Sequence, residues 1–121
     1  MDSKNRMNQF IYLSSCNTCK RILKEVNLPK KIILRDIKKT PLKPNELKSF
    51  KNITGNFRSL LNNRAQKLKS IDKKNLSEEK IFLLLNEHYT FLKRPILHFN
   101  GQLLIGNSKK NIEAIKNLFN E

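Results

Sequence analysis

Cys16 and Cys19 are the residues of this chain best suited to chemistry, because two thiols three positions apart can react with each other or with one partner. The sequence of 121 residues contains two cysteines, and these are the two. A Cys-x-x-Cys pair can be a redox dithiol, half of a metal site, or two small core residues. A zinc site needs four ligands, and the other candidates, His88 and His98, lie far along the chain. We therefore expect no metal here and structural roles for both histidines.

The elements around the pair favour redox chemistry. An apolar run at residues 9–13 predicts a strand, helical spacing predicts a helix over 18–26, and residues 32–34, running into Arg35-Asp36, predict a second strand. The cysteines then lie where the first strand meets the helix. The positive helix end stabilises a thiolate, so Cys16 is the expected nucleophile. Cys19, one turn further on, would resolve a mixed disulfide.

The rest of the chain predicts a helical insertion followed by a hairpin and a helix. Helices are expected at 45–52, after Pro44, and from Ser77 as N-cap to about residue 88, with weaker helical pieces at 57–61 and 67–71. Strands at 96–99 and 102–105 flank Asn100-Gly101, which is typical of a type I′ turn. Asn107 or Ser108 would cap the last helix. The predicted fold is α/β, β-α-β plus β-β-α, in one domain over 1–121 with a helical lobe at about 39–92.

Composition limits the class of protein. The net charge of +15 attracts anions, but the basic residues are dispersed without interleaved aromatics, so we expect no specific nucleic-acid binding. No apolar run approaches the ~20 residues of a membrane span, and no secretory segment is evident. We expect a soluble, cytoplasmic monomer.

Three segments make the chain resemble the arsenate reductase (ArsC)/Spx family, which has a thioredoxin-like fold. They are IYLSSCNTCKR at 11–21, LLNEHYTFLKRPIL at 84–97, and LLIG at 103–106. The resemblance implies a cis peptide bond at Pro95 beside the nucleophilic cysteine. It also implies that Arg94 binds an oxyanion or contacts the thiolate.

Departures from the family pattern leave two functions open. Members that reduce arsenate carry one catalytic cysteine, a nearby histidine and three arginines. In this chain Arg94 matches one arginine, Arg64 lies two residues from the second, Gly106 stands at the third, and Leu13 stands at the histidine. The resemblance implies an arsenate reductase-like thiol-disulfide oxidoreductase without a bound cofactor, taking electrons from glutathione or from thioredoxin or glutaredoxin. Its substrate would be a thiol-reducible compound or a small oxyanion.

The alternative is a redox-sensing regulator of the Spx type. Three features resemble that branch, whose members bind the RNA polymerase α subunit: the Cys16-x-x-Cys19 pair, the Asn63-Arg64 placement and the Ile105-Gly106 ending. A glycine in the helical lobe of that branch is needed for contact with polymerase, and Gly55 lies near that region.

Overall fold

The computed structural model describes residues 8–69, 71 and 75–119, and these form two compact units. One unit holds residues 8–40 and 94–119, and the other holds residues 41–93. The elements, in chain order, are β1 (Gln9–Tyr12), α1 (Asn17–Val26), β2 (Ile33–Asp36), α2 (Pro44–Thr54), α3 (Glu78–Glu87), β3 (Ile96–Phe99), β4 (Gln102–Ile105) and α4 (Lys109–Phe119). The predicted fold class, β-α-β and β-β-α with a helical insertion, is confirmed.

The first unit is built on a four-stranded sheet with the order β2-β1-β3-β4. β1 pairs in parallel with β2, and β1 with β3 and β3 with β4 are antiparallel. Asn100 and Gly101 join β3 to β4 with φ angles of 51° and 81°. Because both central residues have positive φ, the turn is of the predicted I′ type.

The core of this unit lies between the sheet and the two helices α1 and α4. Its buried members are Phe10, Ile22, Val26, Ile32, Leu97, Ile112 and Ile115. Lys116 of α4 also pairs with Glu25 of α1 at 2.8 Å. This packing fixes α1 against β1, and so fixes the loop that carries Cys16.

Edge strand β2 exposes apolar side chains. Ile33 and Leu34 are 54% and 50% exposed, although helices usually cover the faces of parallel strands. Exposed lysines lie just before and just after the strand, at positions 30, 31, 38 and 39.

The second unit contains α2 and α3. Ser77 caps α3 as predicted, since its Oγ accepts a hydrogen bond from the Lys80 N–H at 3.1 Å. The weaker helical segments form only three-residue 3₁₀ turns, Arg58–Leu60 and Gln66–Leu68; residue 70 of the second prediction lies outside the described residues. The first turn ends because Leu61 pairs with Leu92 in a β-bridge, which requires extended backbone.

Within the described ranges, no helix combines the length and apolar character that crossing a membrane requires.

Candidate functional site

Cys16 is the N-cap residue of α1, so the helix begins one residue earlier than the sequence predicted. Its backbone is extended, with φ −94° and ψ 115°. Its N–H donates to the Leu13 carbonyl at 3.0 Å, and its carbonyl accepts from the Lys20 N–H at 3.1 Å. The side chain is half-buried, and both cysteines are free thiols. The Cys16 thiol is therefore partly accessible and held at the positive end of the helix.

The pKa of the Cys16 thiol is lowered from its ordinary value of 9.0. Partial burial by itself raises this pKa, but hydrogen bonds and charge outweigh it. The backbone N–H and the thiol of Cys19 and the backbone N–H of Thr18 stabilise the Cys16 sulfur, and the positive charge of Arg94 adds to them. Since the thiolate is the reactive form of cysteine, Cys16 is the more reactive thiol.

Cys19 has the opposite properties. Its side chain is only 1% exposed, and burial raises its pKa to about 11. The negative charge and hydrogen bonding of Cys16 raise the pKa further, whereas a backbone hydrogen bond with Leu13 and the charge of Arg94 lower it. The two thiols are thus hydrogen-bonded to each other but differ strongly in acidity.

Arg94 and Pro95 lie at the start of β3 in the same unit. The peptide bond between them is cis. The Pro95 carbonyl accepts a hydrogen bond from the Gly106 N–H at 2.8 Å, and Ile96 pairs with Ile11 of β1. The strand therefore fixes the backbone next to Arg94, whose charge acts on both cysteines.

Ser14 and Asp36 are part of this site, although the sequence analysis assigned them no role. The Asp36 carboxylate accepts hydrogen bonds from the Ser14 Oγ at 2.5 Å, the Ser14 N–H at 3.2 Å and the Lys38 N–H at 3.1 Å. The bond from the Ser14 hydroxyl is the main reason that the pKa of Asp36 is lowered. The sequence contains one indication that Ser14 and Asp36 are close. The two predicted parallel strands end at the same edge of the sheet, Ser14 follows the first strand, and Asp36 ends the second.

Arg64 belongs to the other unit. It is exposed in a turn, where its N–H donates to the Asn62 Oδ1 at 3.1 Å. Its role at the thiol site remains a prediction.

The histidines have structural surroundings. His88 ends α3, and its Nδ1 accepts a hydrogen bond from the Thr90 N–H at 3.0 Å. His98 is buried on β3, opposite Gln9. Among the residues that the structure describes, no group of three or more His, Cys, Asp or Glu side chains could hold a metal ion.

The sheet, the helices and the thiol at the start of α1 define a thioredoxin-like protein. Residues 12–115 match the model of the ArsC family. The chain belongs to this family, and the resemblance seen in the sequence is confirmed.

Solved structures with this fold include three from bacteria. The arsenate reductase of Vibrio cholerae has a TM-score of 0.68 and 21% identity, with 94% of this chain and 99% of that chain covered. An ArsC-related protein of Brucella melitensis has a TM-score of 0.70 and 21% identity, covering 88% and 92%. An ArsC family related protein of Bacteroides fragilis has a TM-score of 0.71 and 22% identity, covering 89% and 97%. A search of curated proteins gave no match.

Proposed function

We propose that this protein is a thiol-disulfide oxidoreductase of the arsenate reductase type, with Cys16 as nucleophile and Cys19 as resolving thiol. One observation carries the proposal: a half-buried thiol of lowered pKa at the start of α1 is hydrogen-bonded to a buried thiol of raised pKa. Two such thiols suit two successive steps.

In the first step the Cys16 thiolate attacks one sulfur of a disulfide substrate. A new S–S bond joins Cys16 to that sulfur, the substrate S–S bond breaks, and the other sulfur leaves as a thiolate. Attack on arsenate would instead form an S–As bond and release one oxygen as water after protonation. The helix end and Arg94 would stabilise the negative charge of arsenate, or the charge that develops on the thiolate leaving a disulfide.

In the second step Cys19 attacks the Cys16 sulfur. The bond from Cys16 to the substrate breaks and its electron pair leaves with the substrate, which is thereby reduced. A Cys16–Cys19 disulfide remains, so the protein has lost two electrons. The thiolate of Cys16 no longer exists at this stage, and with it goes a charge that raised the pKa of Cys19. Cys19 thus becomes more acidic when its reaction is required.

The cycle closes when an external thiol reduces the Cys16–Cys19 disulfide. Glutathione, thioredoxin and glutaredoxin are the candidate donors: two glutathione molecules, or one dithiol of thioredoxin or glutaredoxin, supply the two electrons and are themselves oxidised to a disulfide. Arg94 would bind a small oxyanion substrate, with Arg64 as an additional candidate ligand. Each charge-assisted hydrogen bond contributes about 1.5–3 kcal/mol, so the number of arginines at the site decides whether arsenate is bound tightly.

Turnover with glutathione-coupled and thioredoxin-coupled substrates, arsenate included, tests this function. Cys16→Ser should abolish turnover, whereas Cys19→Ser should form the mixed adduct and stop there, as mass spectrometry would show. Ser15→Ala, in the same loop, is the matched control and should react like the parent. Unchanged turnover in Cys16→Ser would contradict the proposal.

The alternative function is a redox-sensing regulator that binds the RNA polymerase α subunit. Two observations favour it: the thiols can pair with each other, and Gly106, at the position of the third family arginine, has a φ of 100° that side chains rarely adopt. Binding of reduced and oxidised protein to isolated α subunit, with Cys16→Ser/Cys19→Ser as a control that cannot switch, tests it. Equal absence of binding in both redox forms would exclude this regulator.

A further inference from the structure

The loop that carries Cys16 is attached to the end of β2. Residues 13–16 connect β1 to α1, and the bond from the Cys16 N–H to the Leu13 carbonyl closes a turn at 3.0 Å. Ser14 lies inside that turn. Both its N–H and its Oγ donate to the Asp36 carboxylate, at 3.2 Å and 2.5 Å.

Asp36 is itself firmly held. It is the last residue of β2 and stands opposite Tyr12, the last residue of β1. Its carboxylate also accepts the Lys38 N–H at 3.1 Å, and its carbonyl accepts the N–H groups of Lys39 at 3.1 Å and Thr40 at 2.9 Å. The sheet therefore provides a fixed point to which the turn is bonded.

We propose that Asp36 is a positioning residue for the Cys16 thiolate and that it acts through Ser14. By fixing the turn, the carboxylate would keep the Cys16 sulfur against the backbone N–H groups of Thr18 and Cys19 at the start of α1. This inference rests on the proposed function, in which Cys16 is the nucleophile.

Asp36 could influence the pKa of Cys16 through its charge or by positioning the turn, and the two mechanisms change that pKa in opposite directions. If Asp36 acted by charge, its loss would remove repulsion of the thiolate and lower the pKa of Cys16. If it acts by position, its loss lets the sulfur leave the N–H groups and raises that pKa. Asp36→Ala and Asp36→Asn both remove the charge, but Asn can still accept the N–H groups of Ser14 and Lys38 through its Oδ1.

The experiment measures the rate of Cys16 alkylation by iodoacetamide as a function of pH, with the labelled residue identified by mass spectrometry. We expect Asp36→Ala to raise the apparent pKa of Cys16 and to slow alkylation at pH 7 roughly 3- to 10-fold, which corresponds to about 0.5–1 pKa unit. Asp36→Asn should be alkylated at nearly the rate of the parent protein. Ser14→Ala should slow alkylation in the same direction, and Ser15→Ala, an exposed neighbour in the same turn, should match the parent.

An equal fall in pKa in Asp36→Ala and Asp36→Asn, or no change in either, would overturn the proposal. Ser14→Ala decides the question if Asp36→Ala does not fold, because it removes one of the two bonds to the turn and leaves β2 intact. The parent curve tests the proposed function separately. An ordinary thiol pKa at Cys16 in the parent would refute the nucleophile itself, whereas a low pKa that the variants leave unchanged would refute only the role of Asp36.

Discussion

Cys19 is buried, and burial is the main reason that its thiol holds its proton up to a pKa of about 11. Its thiol is hydrogen-bonded to the more acidic Cys16, and the negative charge of that neighbour adds to the effect of burial on the pKa of Cys19. The two residues are therefore a coupled pair rather than two independent thiols. Arg94 acts on both of them, and it favours the charged form of each.

Cys19 should make the free energy of unfolding fall at alkaline pH. Its pKa is about 11 in the folded protein against an ordinary 9.0. Between these values the unfolded chain releases the proton and the folded protein keeps it, so stability decreases as pH rises. At 1.36 kcal/mol per pKa unit the loss approaches roughly 2–3 kcal/mol.

Urea unfolding at about pH 8 and about pH 10.5 measures this loss. Cys19→Ala should lose less stability than the parent over that interval, whatever its stability at pH 8. Cys16→Ser is a second comparison: it removes the titration of Cys16 and the charge that adds to the raised pKa of Cys19, but it keeps the effect of burial, so part of the loss should remain. Parallel curves for parent and Cys19→Ala would contradict the assignment.

Arg94 should make Cys16 more reactive through its charge. Arg94→Gln removes that charge and should raise the pKa of Cys16, slowing alkylation at pH 7 by roughly 3- to 10-fold. Arg94→Lys should retain most of the rate, because lysine keeps the charge without the planar geometry. Lys110→Gln, an exposed charge removal on α4, is the control. Stopped-flow alkylation is the measurement, and equal rates in Arg94→Gln and the parent would refute the electrostatic role.

At the scale of elements, the strands and long helices could be predicted because their signals are local. Asn100-Gly101, Pro44 and Ser77 each mark a boundary that the structure reproduces. The predicted start of α1 was one residue too late, because cysteine has no marked preference for the N-cap position that Cys16 occupies. The two predicted parallel strands indicate that Ser14 and Asp36 lie near the same sheet edge, but not that they are bonded, because the bond joins residues 22 apart and no local pattern encodes it.

The β3–β4 hairpin gives a prediction about its turn. A Cβ added at Gly101 would meet nothing within 4 Å, but the φ of 81° is strained for a side chain. Gly101→Ala should therefore destabilise the protein by about 1–2 kcal/mol through the backbone alone. Gly101→Asn should cost less, because asparagine tolerates this conformation better. Thermal unfolding compares them, and equal losses would show that the backbone angle is not the cause.

At the scale of the whole molecule, the net charge of +15 should produce binding to nucleic acid without sequence preference. Two unrelated DNA duplexes of equal length should bind with the same affinity in fluorescence anisotropy. Raising the salt from about 50 mM to about 300 mM should weaken both by tenfold or more, as counterion release requires. A preference for one duplex that persists at the higher salt would contradict this expectation.

The net positive charge also bears on self-association of the protein through the exposed edge strand β2. An apolar strand at the edge of a sheet is a template for pairing with another molecule. The lysines on both sides of Ile33 and Leu34 place like charges on any two copies that approach through this edge. They act as gatekeepers against aggregation, and their protection depends on ionic strength. High salt screens these charges, so the salt concentrations that release the protein from DNA are also those at which β2 is least protected from self-association.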